Sequence, residues 1–406
     1  MVPEMSSVLI KPSKLCGELK APPSKSELHR IIICSYLSGK TFDIPEHCSD
    51  DILATYNAVC ALSENKQVID CYDSASTLRF MIPVAAALCK EVAFTGSEQL
   101  RSRPIDEYLR LLPLHGVECE RGKDKILRIS GKLLSGDYEL LGNVSSQYIT
   151  GLLLALPLLD GDSRIIITTK LQSESYVDIT LKIMSNYGVF ADKTDYGYYV
   201  KGNQKYKPCE QIPEGDWSQA AFFLAGAAIC GEVTVSGLNI ASEQGDREIL
   251  SVLKRFGAVV YSDEGKVACK ADKLYGISVD VTDIPDLFPV IAVVAAFAKG
   301  DTVISGTERL RFKESDRLYA VCENLKRLGV ELTVADGVLT ITGGDVRAER
   351  LDGFNDHRIV MAMSIAAMYA KGETEITHAM SINKSYPDFF SDYNRLGGRA
   401  DVIRDR

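Results

Sequence analysis

The chain has one tryptophan, five histidines and no Cys-x-x-Cys pair among its 406 residues. A zinc or dithiol redox site needs clustered ligands, and none are supplied at such spacing, so no metal is expected. The eleven cysteines are scattered and odd in number, which reads as reduced thiols in a cytoplasmic protein. Cys34, Cys89 and Cys230 lie in apolar helical patterns, where cysteine behaves as a small core hydrophobe. No apolar run approaches the roughly 20 residues that span a bilayer; Val290–Ala298 and Leu152–Leu159 are among the longest. The N-terminal MVPEMSSVLIKPSK lacks the charged start and apolar core of a leader. There is no basic excess either. With 46 Lys+Arg against 55 Asp+Glu the net charge is −9, which argues against a general nucleic-acid binder. Hydrophobic residues at 46% and charged residues at 25% are an ordinary globular balance. At roughly 100–200 residues per domain, the length implies two or three domains.

What is present is repetition. A helix end, a glycine and a strand recur as LPLHGVECE, MSNYGVFAD, LKRFGAVVY, LKRLGVELT and NRLGGRADV. Their glycines, Gly116, Gly188, Gly257, Gly329 and Gly397, are 72, 69, 72 and 68 residues apart. A second phrase is an apolar helix, a turn and a β-rich run, seen six times from HRIIICSYLSGKTFDI to VMAMSIAAMYAKGETEITH. Gly161, Gly231, Gly300 and Gly372 close four of these at spacings of 70, 69 and 72. Two phrases with one period imply six copies of one α/β unit. An apolar helix must be buried all round, whereas helices such as DRLYAVCENLKRLG carry one apolar face and cover a sheet. Breaks at Ala21–Pro23 and Lys205–Gly215 argue for two lobes rather than an open solenoid.

Six stretches precede the apolar helices: PPSKSELHR, DSASTLR, NVSSQ, EGDWSQ, TDIPDLF and FNDHR. Ser, Asp and Asn at a helix start are first a capping signal, and capping alone accounts for most of the fourth and fifth. Lys25, Arg30, Arg79 and Arg358 need another reason, because cations oppose the helix dipole there. Helix-start amides with hydroxyls and cations make an anion site. RLRFKESDRL adds Arg309, Arg311, Lys313, Glu314, Asp316 and Arg317 in nine residues, and SRPID adds Arg103. Taken alone, that charge run is as much a solvated face as a functional cluster, and Lys384 reads as a surface lysine.

Together these stretches resemble the 5-enolpyruvylshikimate-3-phosphate synthase family over nearly the whole chain. The motifs are SKSxxxR, SxSTLR, RPI, SSQ, SYVDITL, IPD, KESDR, NDHR and NKSYPDF, in that order. The resemblance implies an α/β fold of six βαβαββ repeats in two lobes of three, with buried parallel helices (an inside-out α/β barrel). The lobes would be 1–23 with 214–406, and 24–213, with hinge crossings near 21–24 and 213–216. It implies transfer of the enolpyruvyl group of phosphoenolpyruvate to the 5-hydroxyl of shikimate 3-phosphate, releasing phosphate through a tetrahedral intermediate. It also implies a cytoplasmic monomer without metal or cofactor.

By the same resemblance, shikimate 3-phosphate would be bound by Lys25, Ser26, Arg30, Ser145, Ser146, Gln147, Ser173, Tyr176, Asp286, Arg309 and Lys313. Phosphoenolpyruvate would be bound by Lys25, Ala75, Arg103, Gln147, Arg317, Arg358 and Lys384, with Arg79 bracing the helix start. Asp286 would be the base, Glu314 the proton donor, and Lys25 would assist phosphate departure. Two departures stand out. Ala75 replaces a glycine common in the family, and its methyl implies reduced sensitivity to glyphosate. Arg309 replaces an asparagine that touches the shikimate phosphate. The nearest rival is the sister transferase acting on UDP-N-acetylglucosamine, which typically has Lys–Asn where this chain has Lys25–Ser26. Its reactive loop cysteine has no counterpart in Gly96–Arg103. A non-catalytic sugar-phosphate or peptide scaffold would leave the cations unexplained.

Overall fold

The computed structural model describes residues 6–44, 47–263 and 265–404. Residues 1–5, on which part of the leader-free reading rests, lie outside them. The chain divides into two compact units, Met1–Ser24 with Glu214–Arg406, and Lys25–Pro213. Each has its own buried apolar core.

The second unit holds two four-stranded sheets. In one, Val68–Asp70 pairs parallel with Val92–Thr95, which pairs antiparallel with Leu127–Gly131 and that in turn with Val117–Glu120. The other repeats the scheme with Asp137–Leu140, Ser163–Ile167, Gly197–Val200 and Asp192–Thr194. Parallel neighbours need a crossover, and a helix supplies it in each: α3 (Ala75–Ala87) and the helix Ser146–Ala155. Two more helices matter below, α1 (Lys25–Leu37) and α2 (Asp50–Ser63).

The first unit follows the same rule. Ser278–Asp280 crosses to the parallel Asp301–Ser305 through Phe288–Ala296, all nine of whose residues are buried. Leu15–Lys20 pairs parallel with Gly231–Ser236, and the chain between them contains the whole second unit and then the helix Trp217–Cys230. That pairing ties the N-terminal segment to the C-terminal half. A three-stranded antiparallel sheet places Ser6–Ile10 between Thr374–Thr377 and Ala400–Arg404. Preceding the former, the helix His357–Met368 is buried at all twelve positions. The two chain crossings lie side by side, with Pro23 bridged to Gly215, Ser24 N donating to Glu214 O and Asp216 N to Pro22 O.

Several local expectations fail. GKTFDI after α1 forms no strand among the described residues. Cys34 is buried, but Cys89 and Cys230 sit at the ends of their helices and are exposed. All eleven thiols are free. No helix among the described residues is long and apolar enough to cross a membrane.

The five phase-setting glycines all take positive φ, from 74° at Gly188 to 109° at Gly257. That backbone ends a helix and releases the chain into the next strand, and only glycine takes it without strain. A Cβ at Gly329 would meet nothing nearer than Arg347 Cδ at 3.5 Å, whereas at Gly257 it would lie 2.5 Å from the Lys273 carbonyl oxygen. Gly329→Ala is therefore expected to cost about 1 kcal/mol from backbone strain alone. Gly257→Ala should cost roughly 2–3 kcal/mol, because a backbone carbonyl must also move. Urea unfolding of the two variants checks this; equal losses would contradict it.

Candidate active site

In the second unit the candidate residues gather at helix starts. Lys25 opens α1 and its Nζ lies 2.6 Å from Asp51 Oδ2 on α2. Arg30, one turn further on, is 3% exposed. It donates to Ser26 O at 2.5 Å, Tyr176 O at 2.9 Å, Thr180 Oγ1 at 2.7 Å and Thr150 Oγ1 at 3.3 Å, with Phe80 under its guanidinium. Burial lowers its pKa to about 10, so it stays charged. Arg30 thereby ties α1 to the Ser173–Tyr176 turn, where Ser173 is buried at φ 56°. Arg79 is equally buried and makes the corresponding tie elsewhere. It donates to Pro104 O at 2.8 Å and to Gln147 Oε1 at 2.7 Å. Gln147 Nε2 in turn donates to Ser76 Oγ at 2.8 Å, beside Ala75 at the start of α3. Ser145 Oγ caps the helix Ser146–Ala155 by accepting from Gln147 N. Arg103 is near enough to lower the pKa of Arg79 further, after burial, to about 10.

The first unit holds a dense ion cluster. Arg317, 1% exposed, donates through Nε to Asp356 Oδ2 at 2.8 Å, through NH1 to Asp286 Oδ1 at 2.7 Å and through NH2 to Glu314 Oε2 at 2.5 Å. Arg358 NH2 reaches Asp286 Oδ2 at 2.9 Å and Lys313 Nζ lies 3.4 Å from Asp286 Oδ1. Burial pushes the Asp286 pKa upward, but Arg358, Lys313 and Arg317 together outweigh it and hold the carboxyl well below the usual range. Burial lowers the Lys313 pKa, opposed by Asp286. Asp356 caps its helix by accepting from Arg358 N at 2.9 Å while also anchoring Arg317. Lys384, read alone as a surface lysine, is buried, on a helical turn packed against the helix His357–Met368. Arg309 is partly exposed and close enough to contribute to lowering the Lys313 pKa.

The model of the EPSP synthase family, 3-phosphoshikimate 1-carboxyvinyltransferase, matches residues 57–393. Curated proteins named 3-phosphoshikimate 1-carboxyvinyltransferase match along their length. That of Clostridium kluyveri is 40% identical, covering 98% of this chain and 99% of its own. That of Clostridium novyi is 38% identical with the same coverage. The chain belongs to the EPSP synthase family. In fold it is similar to the EPSP synthase of Acinetobacter baumannii, at TM-score 0.80 and 23% identity over 98% of this chain and all of that one. It is likewise similar to the enolpyruvyl transferase NikO of Streptomyces tendae, at TM-score 0.76 and 14% identity over all of both chains.

For an EPSP synthase family member, the structure brings Lys25, Ser26, Arg30, Ser173 and Tyr176 together through α1. It brings Ala75 and Gln147 together through Ser76. Asp286, Lys313, Glu314, Arg317 and Arg358 form the other set. Capping does not explain TDIPDLF: the helix that follows has no side-chain cap, and Asp286 serves three cations instead. It does explain Asp216, which accepts from Gln219 N. The charge run is split in use, with Arg311 exposed, Asp316 a cap, and Lys313, Glu314 and Arg317 in the cluster.

Three acidic residues in these networks escaped the sequence reading: Asp51, Asp246 and Asp356. Only Asp356 left a signal, as the acid beside two basic residues in FNDHR. Asp246 is 2% exposed, accepts from Ser218 Oγ, and has no hydrogen-bond partner for Oδ1 among the described residues. Burial first, then the charge of Asp286, raises its pKa to about 6. A carboxyl raised in the folded state contributes stability that is present below its unfolded pKa near 3.8 and lost as pH rises through about 6. Relative to wild type, Asp246→Asn should therefore gain up to about 3 kcal/mol between pH 4 and 7. Denaturation midpoints across that range check it; a constant difference would contradict it.

Proposed function

We propose that this protein transfers the enolpyruvyl group of phosphoenolpyruvate to the 5-hydroxyl of shikimate 3-phosphate, releasing inorganic phosphate. The observation that carries the residue assignment is Asp286, a carboxylate kept ionised by three cations whose natural ligands are anions. Phosphoenolpyruvate carries a phosphate and a carboxylate, and Arg317, Arg358 and Lys384 suit them in the first unit. In the second unit Lys25, Gln147, Arg103 and the start of α3 at Ala75 suit the same ligand. Ser26, Arg30, Ser145, Ser146, Ser173, Tyr176, Gln147, Lys25, Lys313, Arg309 and Asp286 are the proposed ligands of shikimate 3-phosphate.

Anion binding itself readies the acid–base groups. When Arg317 and Arg358 turn to the substrate, Asp286 and Glu314 lose cationic contacts and gain an anionic neighbour. The Asp286 pKa then rises. Asp286 accepts the proton of the 5-hydroxyl as its oxygen bonds to C2 of phosphoenolpyruvate, and Glu314, having taken up a proton from solvent when Arg317 turns to the substrate, delivers it to C3. The tetrahedral intermediate then expels phosphate, its charge met by Lys25, and a C3 proton is returned to the protein. One proposed ligand set lies on each unit. The paired crossings at 21–24 and 213–216 are the proposed hinge. Six βαβαββ units arranged three to a lobe, and action as a cytoplasmic monomer without metal or organic cofactor, complete the reading.

The direct test is phosphate release from phosphoenolpyruvate with shikimate 3-phosphate or UDP-N-acetylglucosamine as acceptor. Release with the former alone is expected; release with the latter alone would overturn the acceptor assignment. The methyl of Ala75, at the first position of α3 and 8% exposed, narrows the space where a longer anion would extend. Glyphosate should inhibit weakly, and Ala75→Gly should strengthen inhibition by about tenfold, corresponding to ~1.4 kcal/mol of relieved crowding. Equal inhibition constants for the two proteins would contradict this.

A further inference from the structure

Behind Lys25 and Ala75 runs a buried polar chain for which the reaction has so far required nothing. His29 on α1 is 1% exposed, and its Nδ1 lies 2.6 Å from Thr55 Oγ1 on α2. Thr55 Oγ1 lies 2.6 Å from Thr77 Oγ1 on α3, and both threonines are wholly buried. Thr77 Oγ1 donates to Ser74 Oγ at 2.9 Å, and the Thr77 amide donates to the same oxygen at 3.3 Å. Ser74 is the cap of α3 and is 1% exposed. The chain thus begins on the helix that carries Lys25, passes through the helix that carries its partner Asp51, and ends at the residue before Ala75.

Counting protons gives the chain a direction. A hydroxyl has one proton to donate, and a neutral imidazole has one N–H. Thr77 has one hydroxyl proton, given to Ser74 Oγ at 2.9 Å with the Asp51 carbonyl a longer acceptor at 3.5 Å; with that proton so used it accepts from Thr55, and Thr55 accepts from His29, which carries its proton on Nδ1. That leaves Nε2 as a bare acceptor, in keeping with the absence of any partner for it among the described residues, and the ring stands edge-on to Phe80. Burial, the largest influence, lowers the His29 pKa to about 3, so the ring remains neutral at working pH. Helix packing alone does not explain this: apolar side chains at the three positions would join the helices without a hydrogen-bond chain that ends on the Ser74 cap.

We propose that His29, Thr55 and Thr77 are positioning residues for the phosphoenolpyruvate end of the reaction. Their one-way hydrogen-bond chain fixes the Ser74 cap and thereby holds the first amides of α3, at Ala75 and Ser76, in register with Lys25. The first amides of a helix have no intrahelical acceptor, and small misplacements of such donors are costly to an anion held there. This inference rests on the functional reading above, which assigns that helix start to phosphoenolpyruvate.

The test is steady-state kinetics of Thr55→Val beside Thr55→Ser. Thr55→Val keeps the shape and breaks the chain, and should raise KM for phosphoenolpyruvate by about 10- to 100-fold. KM for shikimate 3-phosphate should stay within about twofold, and Thr55→Ser, which keeps the hydroxyl, should restore the phosphoenolpyruvate value. If both KM values in Thr55→Val match wild type, or both move equally, the positioning role is wrong. An inactive wild type would instead defeat the functional reading. A measurement on wild type covers the case in which Thr55→Val does not fold. Nitrogen-15 spectra of the histidines should show His29 neutral and protonated on Nδ1 at pH 5–6. An Nε2-protonated ring, or titration near the ordinary value of about 6.5, would overturn the chain.

Discussion

A single guanidinium organises the first unit. Arg317 is 1% exposed and is shared by Asp286, Glu314 and Asp356, each from a different segment of the KESDR, IPD or NDHR motifs. Burying one charge without partners would be prohibitive, so these carboxylates are conditions of the fold as well as chemical groups. Because Arg358 and Lys313 join through Asp286, the local charge is nearly balanced: three cations meet three carboxylates. Arg358, Lys313 and Arg317 together hold the Asp286 carboxyl well below the usual range. Removing one member would leave a buried charge without its partner, so stability depends on the whole set.

The second unit solves the related problem with fewer carboxylates. Arg30 and Arg79 are satisfied largely by backbone carbonyls, hydroxyls and the Gln147 amide oxygen, with aromatic rings beneath them. Neutral acceptors leave the cationic field less cancelled than ion pairs do, which favours an incoming anion. Apolar crossover helices make both solutions possible. A helix buried all round must begin at a buried place, and its first amides are then aimed at whatever occupies that place.

The periodicity of the chain was legible because helix termination is local. Gly116, Gly188, Gly257, Gly329 and Gly397 can be recognised from a few neighbours, and all five take positive φ. Burial of the apolar helices was legible for the same reason, since no polar face is written into Phe288–Ala296. Ion pairing was not. Lys25 meets Asp51 26 residues away, and Asp286 meets Arg358 72 residues away, distances at which sequence spacing carries no geometric information. Lys384 looked like a surface lysine because its flanks say nothing of the helix that covers it. GKTFDI shows the opposite limit, a β-rich composition that forms no strand among the described residues.

Carboxylates position the cations proposed to bind substrate, and Asp356 isolates that role because it holds Arg317 without itself being assigned to substrate or proton transfer. The decisive measurement is the affinity for phosphoenolpyruvate, in the presence of shikimate 3-phosphate, of wild type and of Asp356→Asn with its fold verified by circular dichroism. The account predicts binding weakened by at least about tenfold, ~1.4 kcal/mol, as Arg317 loses its anchor. Unchanged affinity in a folded variant would contradict it, and would mean that Arg317 is positioned by the substrate alone.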